Sequence, residues 1–129
     1  MPDHVSTRPQ CAEPDAADLD PILLLIPALL KRTPDFRPDP PRNAERRVLY
    51  AMVRDGLEWV GYPRPAVEWA IHKHVEAGRL IALPRPPQFV PVVPCEDVER
   101  EFCLLEATAG LWAWFHTTEA AAGGPLAAL

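Results

Sequence analysis

Trp69, His72 and Lys73, with Arg64 one helical turn or so upstream, are the residues whose types and spacing could do chemistry in this chain. At 100° per residue Trp69, His72, Lys73 and Glu76 fall on one face of a helix, opposite the apolar Val67, Ala70, Ile71 and Val75. Lysine and arginine can pair with phosphate or guanine, and an aromatic ring can pack on a sugar or base. Charge points the same way. Arg42 to Arg85 holds eight basic and five acidic residues, net +3, whereas the stretch before it is net −3 and the stretch after it net −5. A charge reversal confined to one segment suggests an anionic partner for that segment. The ordinary alternative is a solvated face with Trp69 buried against the N-terminal part of the chain.

Other chemistry finds little to work with. His72 and His74 point about 200° apart on a regular helix, so they cannot share one ion. Cys11, Cys95 and Cys103 show no metal-ligand spacing, and their odd number suits a reducing cytoplasm rather than a disulfide framework. His74 lies beside the apolar stripe, where a hydrogen-bonded core histidine is expected. The one serine, Ser6, sits in the polar start, and the six glycines are dispersed, so neither a serine nucleophile nor a phosphate-cradling loop is expected. Glu96, Asp97, Glu99 and Glu101 match the dipole of a helix start. The expectation is no enzyme, no metal and no cofactor.

The chain is 129 residues long, 48% hydrophobic and 24% charged, enough for one modest core. Its 17 prolines are well above the usual share of about 5% and cluster in stiff connectors. A net charge of −5 argues against a polyanion-binding surface spread over the whole molecule. The apolar run Ile22–Leu30 is about half the length of a membrane span and contains Pro27, so no membrane partner is expected.

Residues 1–20 read as a disordered tail. Asp20-Pro21 reads as the cap and first position of a buried apolar helix ending at Lys31 and Arg32. Thr33 to Pro41 reads as a linker. A helix over Ala44–Asp55 is expected, capped by Asn43 and stopped by Gly56. A second follows over Pro65–Ala77, stopped by Gly78. Arg79–Leu83 and Gln88–Val93 read as a hairpin turning at Pro84–Pro87. Glu96–Phe115 reads as one long helix, with residues 121–129 as a flexible tail.

The run Pro65-Ala66-Val67-Glu68-Trp69-Ala70-Ile71-His72-Lys73-His74-Val75-Glu76-Ala77-Gly78-Arg79-Leu80, in the order helix, short turn, helix, glycine stop, strand, resembles the winged-helix-turn-helix superfamily over about residues 43–93. The fold class expected is mainly α with a small β-hairpin: one winged-helix-like domain, residues 21–120, with N- and C-terminal helical extensions. One departure is that only Leu57 to Arg64 is left for the family's second helix.

The resemblance implies a recognition helix at Pro65–Ala77. The expected function is then a small cytoplasmic, DNA-binding transcriptional regulator that contacts double-stranded DNA through Arg64, Trp69, His72, Lys73, Arg79 and Arg85. The alternative is a winged-helix module for protein–protein contact without DNA. The feature that separates the two is what surrounds Trp69. Leu104, Leu111, Trp114 and Phe115 lie off the main stripe of the long terminal helix, which predicts a homodimer or partner interface there.

Overall fold

The computed structural model describes residues 6–33, 46–87 and 98–121. Most of them are helical, and the rest include a small three-stranded antiparallel sheet. The element order is α1 (Ala16–Arg32), β1 (Arg47–Leu49), α2 (Tyr50–Val60), α3 (Arg64–Glu76), β2 (Leu80–Leu83), α4 (Val98–Glu101), β3 (Leu104–Ala107) and α5 (Ala109–Ala121).

α1 is the central helix, packed against α3, α2 and α5. Leu19, Ile22, Ile26 and Leu30 recur at three- and four-residue intervals and are all buried. The helix begins at Ala16, with Asp15 before it, so Pro21 lies inside it and not at its first position. The expectation of a disordered start therefore gives way over residues 16–20, because Leu19 extends the apolar stripe by one turn. Pro21 and Pro27 each remove one intrahelical donor, and the buried stripe holds the helix together across both. Thr33 closes α1 by donating its hydroxyl to the Leu29 carbonyl at 2.9 Å.

The helix expected over Ala44–Asp55 differs from what is found. Arg47–Leu49 is strand, and the helix that follows runs through Gly56 to Val60. Asn43 and Ala44 lie outside the described residues. Tyr50 marks the strand-to-helix switch, with its amide donating to the Cys103 carbonyl at 3.0 Å. The left-handed stop is Gly61, φ 120°, rather than Gly56. The expected helix is thus shifted towards the C-terminus, and the Leu57–Arg64 stretch, expected to be little more than a turn, holds the last turn of α2 and the short connection into α3. α3 agrees with expectation to within a residue, and Gly78 ends it at φ 78°.

The largest difference is at residues 96–115. In place of one helix, α4 covers four residues, β3 follows, and α5 starts at Ala109. Leu104–Ala107 forms the middle of the sheet, in the order β1-β3-β2, with Val48 and Ala82 both opposite Leu105. Two ladders of backbone hydrogen bonds and a buried Leu105 outweigh the helical periodicity of this segment. Thr108 then caps α5, accepting the Leu111 amide at 3.3 Å. β2 consequently pairs with Leu104–Ala107, while the strand expected over Gln88–Val93 lies outside the described residues.

Candidate functional site

The outward face of α3 does gather Trp69, His72 and Lys73, but it is not bare. Residues 7–13 lie across it. The Trp69 indole is 6% exposed and donates Nε1–H to the Cys11 carbonyl at 3.0 Å. Thr7 Oγ1 is 2.9 Å from His72 Nδ1, and Glu13 Oε1 is 3.0 Å from Lys73 Nζ. The Arg8 guanidinium lies 5.9 Å from the centre of the Trp69 ring. His72 also meets Trp69 edge-on at 5.6 Å and stands 3.5 Å from the Glu76 carboxylate. Three residues on one helix face are thus each matched by an oxygen from the same short segment.

The remaining candidate cations are engaged elsewhere. Arg64, at the start of α3, holds Glu58 in a two-bond fork at 2.7 and 3.1 Å. That hydrogen bond keeps the Glu58 carboxyl below the usual carboxylate range. Arg79 turns inward, donating Nε–H to His74 Nδ1 at 2.9 Å and lying 4.6 Å over the Trp114 ring. Arg85 reaches Glu99 at 3.4 Å. The six candidate residues therefore form one trio and three separately occupied arginines, not a continuous basic face.

His74 is the core histidine expected from its position. It is fully buried, and Nε2–H donates to the Leu23 carbonyl at 2.9 Å. Burial pushes its imidazole down to about 4, with the Arg79 charge adding to the shift. A second polar knot lies under α4: Arg54, 8% exposed in its side chain, pairs with Glu101 and with Asp55, and Arg100 stands 3.4 Å from Glu68. The Tyr50 hydroxyl next to it is buried, and burial raises its pKa. Among the described residues no group of three or more His, Cys, Asp or Glu side chains is arranged to hold a metal ion, and no helix is long and apolar enough to cross a membrane.

Leu104, Leu111 and Phe115 do not form an outer face. They are 7%, 0% and 4% exposed, and Trp114 packs edge-on against His74 at 4.9 Å. The interface expected from these four residues is corrected: breaking the long helix into β3 and α5 changes their phase and turns all four onto the chain's own core.

The apolar surface that does remain exposed was not singled out from the sequence. Among the described residues it comprises Trp59, 91% exposed, Val60, 64%, and Met52, 45%, all on α2, and Ile81, 42%, on β2. Of these, Val60 lines a groove of about 150 Å³ between α1 and α2, together with Leu25, Ala28, Leu29, Arg32, Gly56 and Leu57. Gly56 lets the helices approach here, since a Cβ at that position would sit 3.2 Å from Leu29 Cδ2. Continuing the helix past Gly56 would have placed Trp59 opposite Val53 and Leu57, which is the signal that was available. No family model matches the chain, and no curated protein or solved structure matches it either.

Proposed function

We propose that this chain is a protein-interaction module on a winged-helix-like scaffold, and that it docks the apolar face of a partner's amphipathic helix at the α1–α2 groove. The scaffold reading is supported by the order helix, strand, helix, helix, strand, one-turn helix, strand, by the sheet order β1-β3-β2, and by α3 passing through Gly78 directly into β2. The observation that carries the docking reading is Val60, 64% exposed and lining an apolar groove, with the 91% exposed Trp59 next to it in the chain. Large aromatics are the usual anchors of protein interfaces. Burying about 200 Å² of such a ring offers about 5 kcal/mol before the costs of association.

Among the described residues, Arg32 is the one charged residue lining the groove. A helix with a carboxylate at its rim, beside leucines spaced three and four residues apart, complements both features. Synthetic amphipathic peptides of this design, with glutamate or lysine at the rim position, test it. The glutamate peptides should shift the Trp59 indole resonance, the lysine peptides should bind more weakly, and Trp59→Ala should abolish binding. A Trp59 indole resonance that no glutamate peptide moves would end the proposal.

The second reading is DNA binding by a regulator that presents α3 and Arg85 to double-stranded DNA. What favours it is the local charge of net +3 in an acidic chain and the trio Trp69, His72 and Lys73 on one helix face. Against it stand the acidic partners of Arg64, Lys73 and Arg85. Failure of the full chain to retard random duplex at low salt would remove it.

A further inference from the structure

We propose that the outward face of α3 is a binding site for a short peptide segment bearing a carboxylate, and that residues 7–13 are its built-in occupant, displaced in trans by a partner segment of the same chemistry. This site is separate from the α1–α2 groove, and the two stand or fall independently.

The occupant itself shows what the face selects. It is neither helix nor strand, and it bends at Gln10 and Cys11. It offers a hydroxyl to His72, a backbone carbonyl to Trp69 and a carboxylate to Lys73, at 2.9, 3.0 and 3.0 Å. An indole N–H paired with a main-chain carbonyl is recognition of a peptide backbone, which a nucleic acid would not supply. The carboxylate meets Lys73, and the Arg8 guanidinium lies 5.9 Å from the Trp69 ring centre, so the face receives one group of each charge.

The attachment is also slight. Among the described residues, Thr7 and Pro9 are the buried members of the segment, and no backbone–backbone hydrogen bond holds residues 6–14. The three contacts are all made by side chains of α3. The segment stays seated because Pro14 and Asp15 tether it to α1, at an effective concentration on the order of millimolar for so short a connection. A partner segment competes with that tether, so weakening the occupant strengthens binding in trans.

The test uses the full chain. The probe is a synthetic peptide of residues 6–15 with C11S, to prevent oxidation, and the readouts are its dissociation constant and the Trp69 indole N–H resonance. Thr7→Val together with Glu13→Lys should move that resonance, because the segment leaves, and should tighten peptide binding by about tenfold or more over the unmodified chain. Adding Lys73→Ala should remove the gain, and a probe carrying E13K should not bind. Equal affinity of the double variant and the unmodified chain, or an unmoved Trp69 resonance in the double variant, would overturn the proposal. So would a short random duplex that shifts the Trp69 resonance of the double variant where the peptide does not, which would assign the face to nucleic acid.

Discussion

Arg79 donates its Nε hydrogen to Nδ1 of His74 at 2.9 Å, and this one bond fixes the tautomer of a fully buried imidazole. With Nδ1 accepting, the ring proton must sit on Nε2, where it meets the Leu23 carbonyl. Trp114 packs on both partners, 4.9 Å from the His74 ring and 4.6 Å from the Arg79 guanidinium. The contact set joins α1, α3, the turn after it and α5 through one neutral ring. A proton added to His74 would lose the Arg79 bond and face a cation.

Stability should therefore fall on acidification. The folded-state pKa of His74 is depressed from 6.5 to about 4, so its contribution is complete above 6.5 and is lost as pH drops towards 4. The shift corresponds to about 3 kcal/mol across that window. Urea unfolding at several pH values should show this slope, and His74→Leu should lose it while being less stable at neutral pH. Identical slopes in the two proteins would refute the assignment.

Leu111 is buried in its own chain. Leu111→Ala should cost about 2–5 kcal/mol and lower the melting temperature. The mass by light scattering should match that of the unmodified protein. A variant with unchanged stability and a smaller particle mass would restore the interface first expected on this helix.

Two glycines should respond differently to alanine. Gly61, at φ 120°, should lose about 1–3 kcal/mol on Gly61→Ala, because L side chains rarely adopt that backbone. Gly56 lies inside α2, where alanine gains up to about 1 kcal/mol in helix propensity, and the contact with Leu29 offsets part of it. Gly56→Ala should therefore leave stability nearly unchanged and narrow the α1–α2 groove. Thermal unfolding of both variants checks the contrast.

Glu101 holds the buried Arg54 guanidinium against α4. Glu101→Gln should cost about 1–3 kcal/mol, less than a fully buried pair because Glu101 is partly exposed and Asp55 remains. Hydrogen exchange should accelerate at the Tyr50 amide, whose acceptor is Cys103, two residues past Glu101. Unchanged exchange there would mean that the ion pair does not anchor the segment.

Much of the helical frame could be read from the chain. α3 announces itself by Arg64-Pro65, by Val67, Ala70 and Ile71 at helical spacing, and by Gly78. The buried run of α1 was equally plain, although its first turn was not. Residues 96–115 misled because Val98, Phe102, Leu105, Ala109 and Trp112 recur at helical spacing. The strand among them exists only because two other strands, far away in sequence, offer it partners. Thr108, a good cap residue, was the local sign that a new helix starts at Ala109. The state of Trp69 was beyond local reading, since it depends on Cys11, 58 residues away. The loss of the expected interface follows from the same misread segment.

β3 is the middle strand of the sheet and also the last one to be made. During synthesis β1 and β2 must wait as two open edges, each lacking its neighbour until Leu104–Ala107 has left the ribosome. α5, which completes the packing on α1, comes later still. The sheet thus closes only once Leu104–Ala107 has emerged, and a ribosome stalled short of Leu104 would present two unpaired strands to whatever protein meets them first.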